Sequence, residues 1–361
     1  MYPNFVNSDR IAQIKRYQTR QNVDKNIQSH YTKTGEISKL AKPVHAYIET
    51  ISTCNYACPS CFQGNSEAKA HYLDLLSTNS MSLDSFKKYV RNLVAGGIRS
   101  IALYNTNEPF LDSLLEKRLQ YLESYNLDDL ILMSNGLLLN SSNTDLVLKS
   151  NITKMCFSID AASSKTYTVV RPIANIKERS NPEDILRLEK VTNNIRAFIE
   201  RANTERPDLL IRVSFVVTKD NVHEIDMFLD YWRRYADIVE FQYNHVADFS
   251  IGTIDNTFRR VEVEACHAPT TTILVRPDGT VYPCCTIYAH LPEPDLSGDL
   301  SLGNLNVISY QQILASEKRR KLINDLASKT PDSRCNKCLN SHYCHINYMD
   351  NDEFSSFAPV I

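Results

Sequence analysis

Between His45 and about Asn244 the chain alternates strand-like and helix-like segments through six units, which predicts an α/β fold. Such alternation builds a parallel sheet with right-handed crossovers and helices on its outer face. Six units do not close an eight-stranded barrel, so the expected form is an open, partial (β/α)6 barrel. From Cys266 onward the pattern changes to a β-hairpin, a helix and a run of cysteines, which predicts a small C-terminal hairpin/helix domain. The expected division is an N-terminal arm over 1–44, the partial barrel over 45–250 and the cysteine-rich domain over 251–361.

The arm, up to Pro43, carries eight Lys/Arg against three Asp/Glu without a clean period, and reads as a solvated segment or a short helix packed outside the barrel. Strands are expected near His45–Thr50, Ser100–Tyr104, Asp129–Ser134, Lys154–Ile159, Leu210–Val217 and Ile238–Tyr243. Ser82 caps a helix whose apolar residues Leu83, Phe86, Val90, Leu93 and Val94 fall at helical spacing, and Gly96-Gly97 ends it. Leu111, Leu114, Leu115, Leu119 and Leu122 mark the next helix. Asn181-Pro182 opens a long one running through Ile185, Leu188, Val191, Ile195 and Ile199, and Val222, Ile225, Phe228, Leu229 and Trp232 mark the last. In the C-terminal part, Thr271–Arg276 and Thr280–Tyr282 flank a Pro277-Asp278-Gly279 turn, and a helix follows near Tyr310–Ala327.

Composition narrows the function. The 361 residues are 43% apolar and 23% charged, as in a globular protein, with a net charge of −2 that leaves no basic footprint for nucleic acid. No apolar run is long enough to span a membrane, and the N-terminus lacks the apolar core of an export signal. Ten cysteines in such a chain read as metal ligands in a reducing cytoplasm and not as disulfides.

The first strand runs into Cys54-Asn55-Tyr56-Ala57-Cys58-Pro59-Ser60-Cys61, three thiols at C-x3-C-x2-C spacing. Structural zinc is closed and tetrahedral, usually held by C-x2-C pairs that add up to four ligands. Three thiolates with no local fourth suit an iron–sulfur cube with one iron left open, and a zinc or structural role is the alternative. This loop resembles the signature of the radical S-adenosylmethionine (SAM) superfamily, where the open iron chelates the amine and carboxylate of SAM. Ser60 stands where family members often carry an aromatic residue near the adenine, with Tyr56 and Phe62 close by in sequence.

The resemblance extends over most of the chain, from about Tyr47 to Cys344. Thr106-Asn107-Glu108-Pro109 follows the second strand at the place of the family's Gly-Gly-Glu motif, with both glycines replaced. By that resemblance Thr106, Asn107 and Glu108 contact SAM, the Glu108 carboxylate accepting a charge-assisted hydrogen bond from the SAM ammonium. The plainer reading of Glu108 is a helix-start acid favoured by the dipole. Met133-Ser134-Asn135-Gly136 looks like the family's turn after the third strand, or an ordinary Asn-Gly turn. Phe157-Ser158-Ile159-Asp160-Ala161 with Thr166-Tyr167 and Arg171 resembles the fourth-strand signature of the SPASM/twitch branch, which implies that Ser158, Asp160 and Arg171 lie near SAM.

Cys266-x17-Cys284 followed by Cys335-x2-Cys338-x5-Cys344 resembles a SPASM or twitch domain. Cys266, Cys284, Cys335 and Cys338 then supply four thiolates for one auxiliary 4Fe-4S cluster, with Cys285 and Cys344 as spare or alternative ligands, or the same residues hold zinc. On an extended strand Cys285 would point away from Cys284, either packed as a small hydrophobe or turned toward substrate.

Strand alternation puts Cys156, Ser158 and Asp160 on one face; likewise Arg212 with Ser214, Glu240 with Gln242 and Asn244, and His45 with Tyr47 and Glu49. A barrel interior with these groups suits a small polar substrate such as a sugar, an aminocyclitol or an amino acid; a structural Glu–Arg pair is the plain alternative. The function the resemblance implies is reductive cleavage of SAM and hydrogen abstraction, ending in oxidation or epimerisation of that substrate. It further implies an electron donor such as flavodoxin or ferredoxin. Modification of a precursor peptide and a non-catalytic zinc protein are the rival readings.

Overall fold

The computed structural model describes residues 43–61, 63–64, 80–175, 185–243, 266, 268–285, 300–328, 330, 335, 345–348 and 359–360. Residues 1–42 of the expected N-terminal arm, Phe62, the Asn181-Pro182 helix start, Asn244, Cys338 and Cys344 lie outside them.

Six strands form the parallel core: β1 (His45–Ile48), β2 (Ser100–Ala102), β3 (Asp129–Ser134), β4 (Lys154–Ser158), β5 (Leu210–Val217) and β6 (Ile238–Tyr243). They lie side by side in sequence order, each parallel to the next, which is the partial barrel expected from the alternation. Strand β4 stops one residue early because Asp160 turns to φ 63°, the left-handed region.

The helices follow their local signals. Ser82 Oγ accepts from Ser85 N at the start of α1 (Leu83–Ala95), and Gly96 ends it. The helix expected from Leu111 is split into a 3-10 turn, Pro109–Leu111, and α2 (Leu115–Leu122). Asp112 causes the break: its carboxylate accepts from Leu114 N at 2.9 Å and pairs with the buried Arg118 at 2.8 Å. Helix α3 (Ser141–Lys149) was not anticipated, because its apolar residues Leu146, Val147 and Leu148 are consecutive instead of periodic; its cap, Asn140, accepts from Asn143 N. Helices α4 (Ser164–Val170) and α5 (Arg187–Glu205) follow β4, and α6 (Ile225–Trp232) follows β5. Phe215 and Phe241 pack against Phe228 of α6, which in turn meets Trp232, as the alternation requires of the outer face.

The C-terminal part does not hang beside the barrel. After the short helix α7 (Ala268–Thr271), β7 (Thr272–Val275) pairs in parallel with β1 over four residues. It turns back through β8 (Thr280–Tyr282), the expected hairpin, and β8 pairs with β9 (Gly303–Asn304). Gly279 at φ 86° takes the left-handed position of the turn, and Asp278 accepts from Thr280 N. The expected Tyr310–Ala327 helix is two, α8 (Tyr310–Leu314) and α9 (Glu317–Ala327), because Ser316 opens a new cap on Arg319 N. At the other edge β10 (His345–Tyr348) pairs antiparallel with β6, and β11 (Pro359–Val360) with β10. Among the described residues eleven strands thus make one sheet. No described helix is long and apolar enough to cross a membrane.

Candidate active site

The ends of β1, β2 and β4 converge on the three-cysteine loop, as sites in parallel α/β folds do. The loop is strapped to the chain that leaves α4. Ala57 N donates to Pro172 O at 2.8 Å, Ala174 N donates to Asn55 O at 2.9 Å, and Tyr56 bridges Ile173. Tyr56 is an anchor: its ring packs edge-on to Tyr167, its hydroxyl meets that of Tyr167 at 3.0 Å, and the Arg187 guanidinium lies 5.1 Å above it. Gly64 closes the loop at the other end, where a side chain would overlap the Ala57 carbonyl.

Cys54, Cys58 and Cys61 are buried or half-buried, and no disulfide joins the described cysteines. Burial pushes all three thiols up, Cys58 to about 12, and the neighbouring thiols add to the effect at Cys54 and Cys58. Arg171 works the other way on Cys58 and Cys61. Among the described residues no three His, Cys, Asp or Glu side chains gather as a ready single-ion site.

Glu108 is 1% exposed and occupies the centre of this strand end. Its Oε1 accepts from Ser134 Oγ at 2.9 Å and Phe110 N at 3.3 Å, and its Oε2 accepts from Asn135 N at 2.8 Å. It therefore caps the 3-10 turn, as the plain reading held, and in addition joins β2 to the Ser134-Asn135-Gly136 turn. An ionised carboxylate has about four acceptor positions, so one on Oε2 is left open. Burial raises its pKa to about 7, against the pull of Asn135 and Ser134. Thr106 Oγ1 donates to Glu49, and Asn107 Oδ1 accepts from Asn105 N at 3.0 Å. Asn135 Nδ2 reaches Asn55 Oδ1 at 2.7 Å, tying the third strand end to the cysteine loop.

Across the mouth, Arg171 is held by Asp160, its Nε 2.8 Å from Oδ2, and also donates to Ser158 Oγ. Burial disfavours the charge of Arg171, and Asp160 together with Cys58 more than restores it. Ser158, Asp160 and Arg171 are thus one unit beside the thiols. Five buried polar atoms at the same strand ends have no partner among the described residues: Thr50 Oγ1, Ser52 Oγ, Asn55 Nδ2, Asn105 Nδ2 and Asn107 Nδ2. Each such group costs about 1–3 kcal/mol if it stays unpaired. Soft thiols flanked by unfilled donors, a carboxylate and a guanidinium fit an iron–sulfur cluster with SAM, whose amine matches the carboxylate and whose carboxylate and ribose oxygens match the guanidinium and the donors.

The inner face of the sheet carries its own cluster, Ala102, Ile131 and Cys156 with Tyr47, Tyr104 and Met133, separate from the core under the helices. Beside it Arg212 pairs with Glu240 at 3.1 Å, and Gln242 Nε2 donates to Glu240 at 2.7 Å. Arg212, Cys156, Glu240 and Cys285 all act on the Tyr104 hydroxyl, which burial raises. So Cys156 faces the interior as the alternation requires.

Cys285 reaches the same interior: its thiol, pushed up to about 12 by burial, is hydrogen-bonded to the Tyr47 hydroxyl. Strand β8 has ended at Tyr282, so extended-strand alternation does not govern Cys284 and Cys285. Burial likewise raises Cys266 to about 12, and Cys284 is the next cause, so those two thiols lie together. Cys335 packs half-buried against the main core.

Residues 266–339 match the SPASM family, an iron–sulfur cluster-binding domain. Solved structures share the fold at low identity. BtrN in complex with AdoMet and 2-DOIA is 14% identical with a TM-score of 0.51, over 88% of this chain and 96% of that one. Streptococcus suis SuiB bound to the precursor peptide SuiA is 15% identical with a TM-score of 0.55, over 85% and 72%. anSMEcpe with bound AdoMet is 13% identical with a TM-score of 0.54, over 82% and 86%. No curated protein matches the sequence.

Proposed function

We propose that this chain, built on the radical SAM fold with a SPASM-type C-terminal segment, is an enzyme that cleaves SAM reductively and abstracts hydrogen from a small polar substrate. Cys54, Cys58 and Cys61 would hold the first 4Fe-4S cluster, and Cys266, Cys284, Cys335 and Cys338 one auxiliary cluster. Bound there with a reductant such as flavodoxin or ferredoxin, cluster and SAM supply a 5′-deoxyadenosyl radical, which takes a hydrogen atom from an unactivated C–H bond.

The observation that carries this reading is the set of buried polar atoms, unpartnered among the described residues, on the two segments that carry Cys54 and Glu108. Glu108 binds the SAM amino group, and Arg171, fixed by Asp160, faces the carboxylate. Arg212, Glu240, Gln242 and Tyr104 line the interior with donors and acceptors that orient hydroxyl or amino groups of a sugar or aminocyclitol, the Arg212–Glu240 pair being already formed. The test is anaerobic reconstitution followed by iron, sulfide and 5′-deoxyadenosine analysis. Two cubes give about eight irons per chain with matching sulfide, whereas zinc without sulfide would reject the reading. Assays with aminocyclitols, sugars and precursor-type peptides then separate substrate classes.

The interior position of Cys285 favours epimerisation over net oxidation. A thiol there gives its hydrogen atom to a substrate carbon radical from the face opposite the abstraction. Cys285 then regains one electron and one proton, the electron coming from the same reductant. For net oxidation, an auxiliary cluster held by Cys266, Cys284, Cys335 and Cys338 would instead take up the substrate radical's electron, its proton going to solvent.

A further inference from the structure

Asp160 is the one non-glycine residue with positive φ among the described residues, at 63°. That backbone is held from outside its own segment. Asn221, fully buried after β5, donates Nδ2 to Asp160 O and to Val216 O, both at 2.8 Å. Its Oδ1 accepts from Thr218 N at 2.6 Å and Thr218 Oγ1 at 3.1 Å, so the amide makes every hydrogen bond it has. Asp160 Oδ1 in turn accepts from Val216 N at 2.7 Å.

Three residues on, Glu224 is 2% exposed and caps α4 from across the fold. Its Oε2 accepts from Ala162 N at 2.6 Å and Ser163 N at 3.1 Å, and its Oε1 accepts from Ser163 Oγ at 2.5 Å and Thr166 Oγ1 at 2.6 Å. The loop after β5 thus clamps both ends of the turn between β4 and α4. Helix α4 delivers Arg171 to Asp160 and Ser158, and Pro172–Ala174 form the strap on the cysteine loop. Arg187 locks the junction by donating to Arg171 O at 2.8 Å.

We infer that Asn221 and Glu224 are positioning residues: acting through Asp160 and α4, they set the Arg171 guanidinium and the 172–174 strap in the register that the cysteine loop needs to bind SAM. This rests on the reading of that loop as a cluster site. Two saturated polar side chains in a buried clamp specify one geometry, which apolar packing would leave loose. A strained backbone persists where its surroundings over-determine it.

The test uses reconstituted, full-length protein with Glu224→Gln and Asn221→Ala. Arg206→Ala is the stability control, since Arg206 donates to Ser150 O and Ile152 O at the opposite end of the strands. The expected result is full iron content and an unchanged auxiliary-cluster EPR signal. SAM affinity should fall at least about tenfold, and the SAM-induced change in the first cluster's EPR spectrum should shrink. Arg206→Ala should lower Tm and leave both SAM readouts at the wild-type level. If Glu224→Gln does not fold, Thr166→Val removes one of its four donors and should shift the same readouts less in the same direction. Wild-type SAM affinity and spectrum in these variants, with only Tm lowered, overturn the inference. A wild-type protein with no cluster on the first loop overturns the underlying reading instead, and iron analysis tells the two apart.

Discussion

Glu108→Gln tests the centre of the site with the smallest change of shape. The carboxylate is buried and accepts three hydrogen bonds, with one position on Oε2 open for the SAM amino group. The amide keeps an acceptor toward Ser134 and Phe110 but turns a donor toward Asn135 N, and it has no charge. A hydrogen bond to a charged group is worth about 1.5–3 kcal/mol, so SAM affinity should drop about tenfold to a hundredfold. The pH dependence has a definite sign. Burial raises the ligand-free carboxyl to about 7, and a bound amino donor favours the ionised form and lowers it again. Binding therefore expels a proton below that pH, and affinity rises with pH up to about 7, at most tenfold per unit, then levels.

Anaerobic calorimetry on reconstituted protein from about pH 6 to about pH 8, in buffers of different ionisation enthalpy, reads both affinity and proton release. The Glu108→Gln variant should be weak and lack the proton release. Equal affinity for variant and wild type would refute the reasoning, leaving Glu108 as the cap of the 3-10 turn alone.

The triple variant Cys54→Ala/Cys58→Ala/Cys61→Ala should lose about four irons per chain and all 5′-deoxyadenosine formation while keeping the auxiliary cluster; iron analysis and product chromatography check this. Cys285→Ala should still cleave SAM and abstract hydrogen but fail to return it, so turnover in deuterated water no longer leaves one deuterium at the inverted carbon; product at the wild-type rate would leave only a packing role. Glu240→Leu alone should destabilise the protein by about 3–5 kcal/mol because it removes the buried carboxylate that pairs with the Arg212 charge. Arg212→Met/Glu240→Leu together should cost far less, as chemical denaturation of both variants would show.

What was legible in the sequence was whatever is decided locally. Alternation fixes which side of a strand is outside, so Phe215 and Phe241 fall under α6 and Arg212 and Glu240 on the inner face as expected. Caps are equally local: Ser82 and the Asp278-Gly279 turn act at their own positions. The misses have physical reasons. Asp112 interrupts a leucine period by capping backbone and pairing with Arg118, and Ser316 restarts a helix inside another. At the site, Ser158, Asp160 and Arg171 were visible as a motif. The clamp by Asn221 and Glu224 was not, because it joins residues about sixty positions apart through side-chain hydrogen bonds that no period encodes.

The longest-range feature is the use of strand β1. An open partial barrel has two bare edges, and bare edges invite pairing with other chains. Here the C-terminal part covers both, β7 on β1 and β10 on β6. The first of these pairings has a chemical consequence. Strand β1 runs into the loop of Cys54, Cys58 and Cys61 at its end, and Tyr47 within it is hydrogen-bonded to Cys285. The hairpin that delivers Cys284 and Cys285 is registered on β1 from His45↔Thr272 to Ile48↔Val275. A slip of one residue would turn every side chain of β7 to the other face and carry Cys285 away from Tyr47. One four-residue ladder therefore sets the register of the hairpin, and with it the approach of Cys285 to Tyr47.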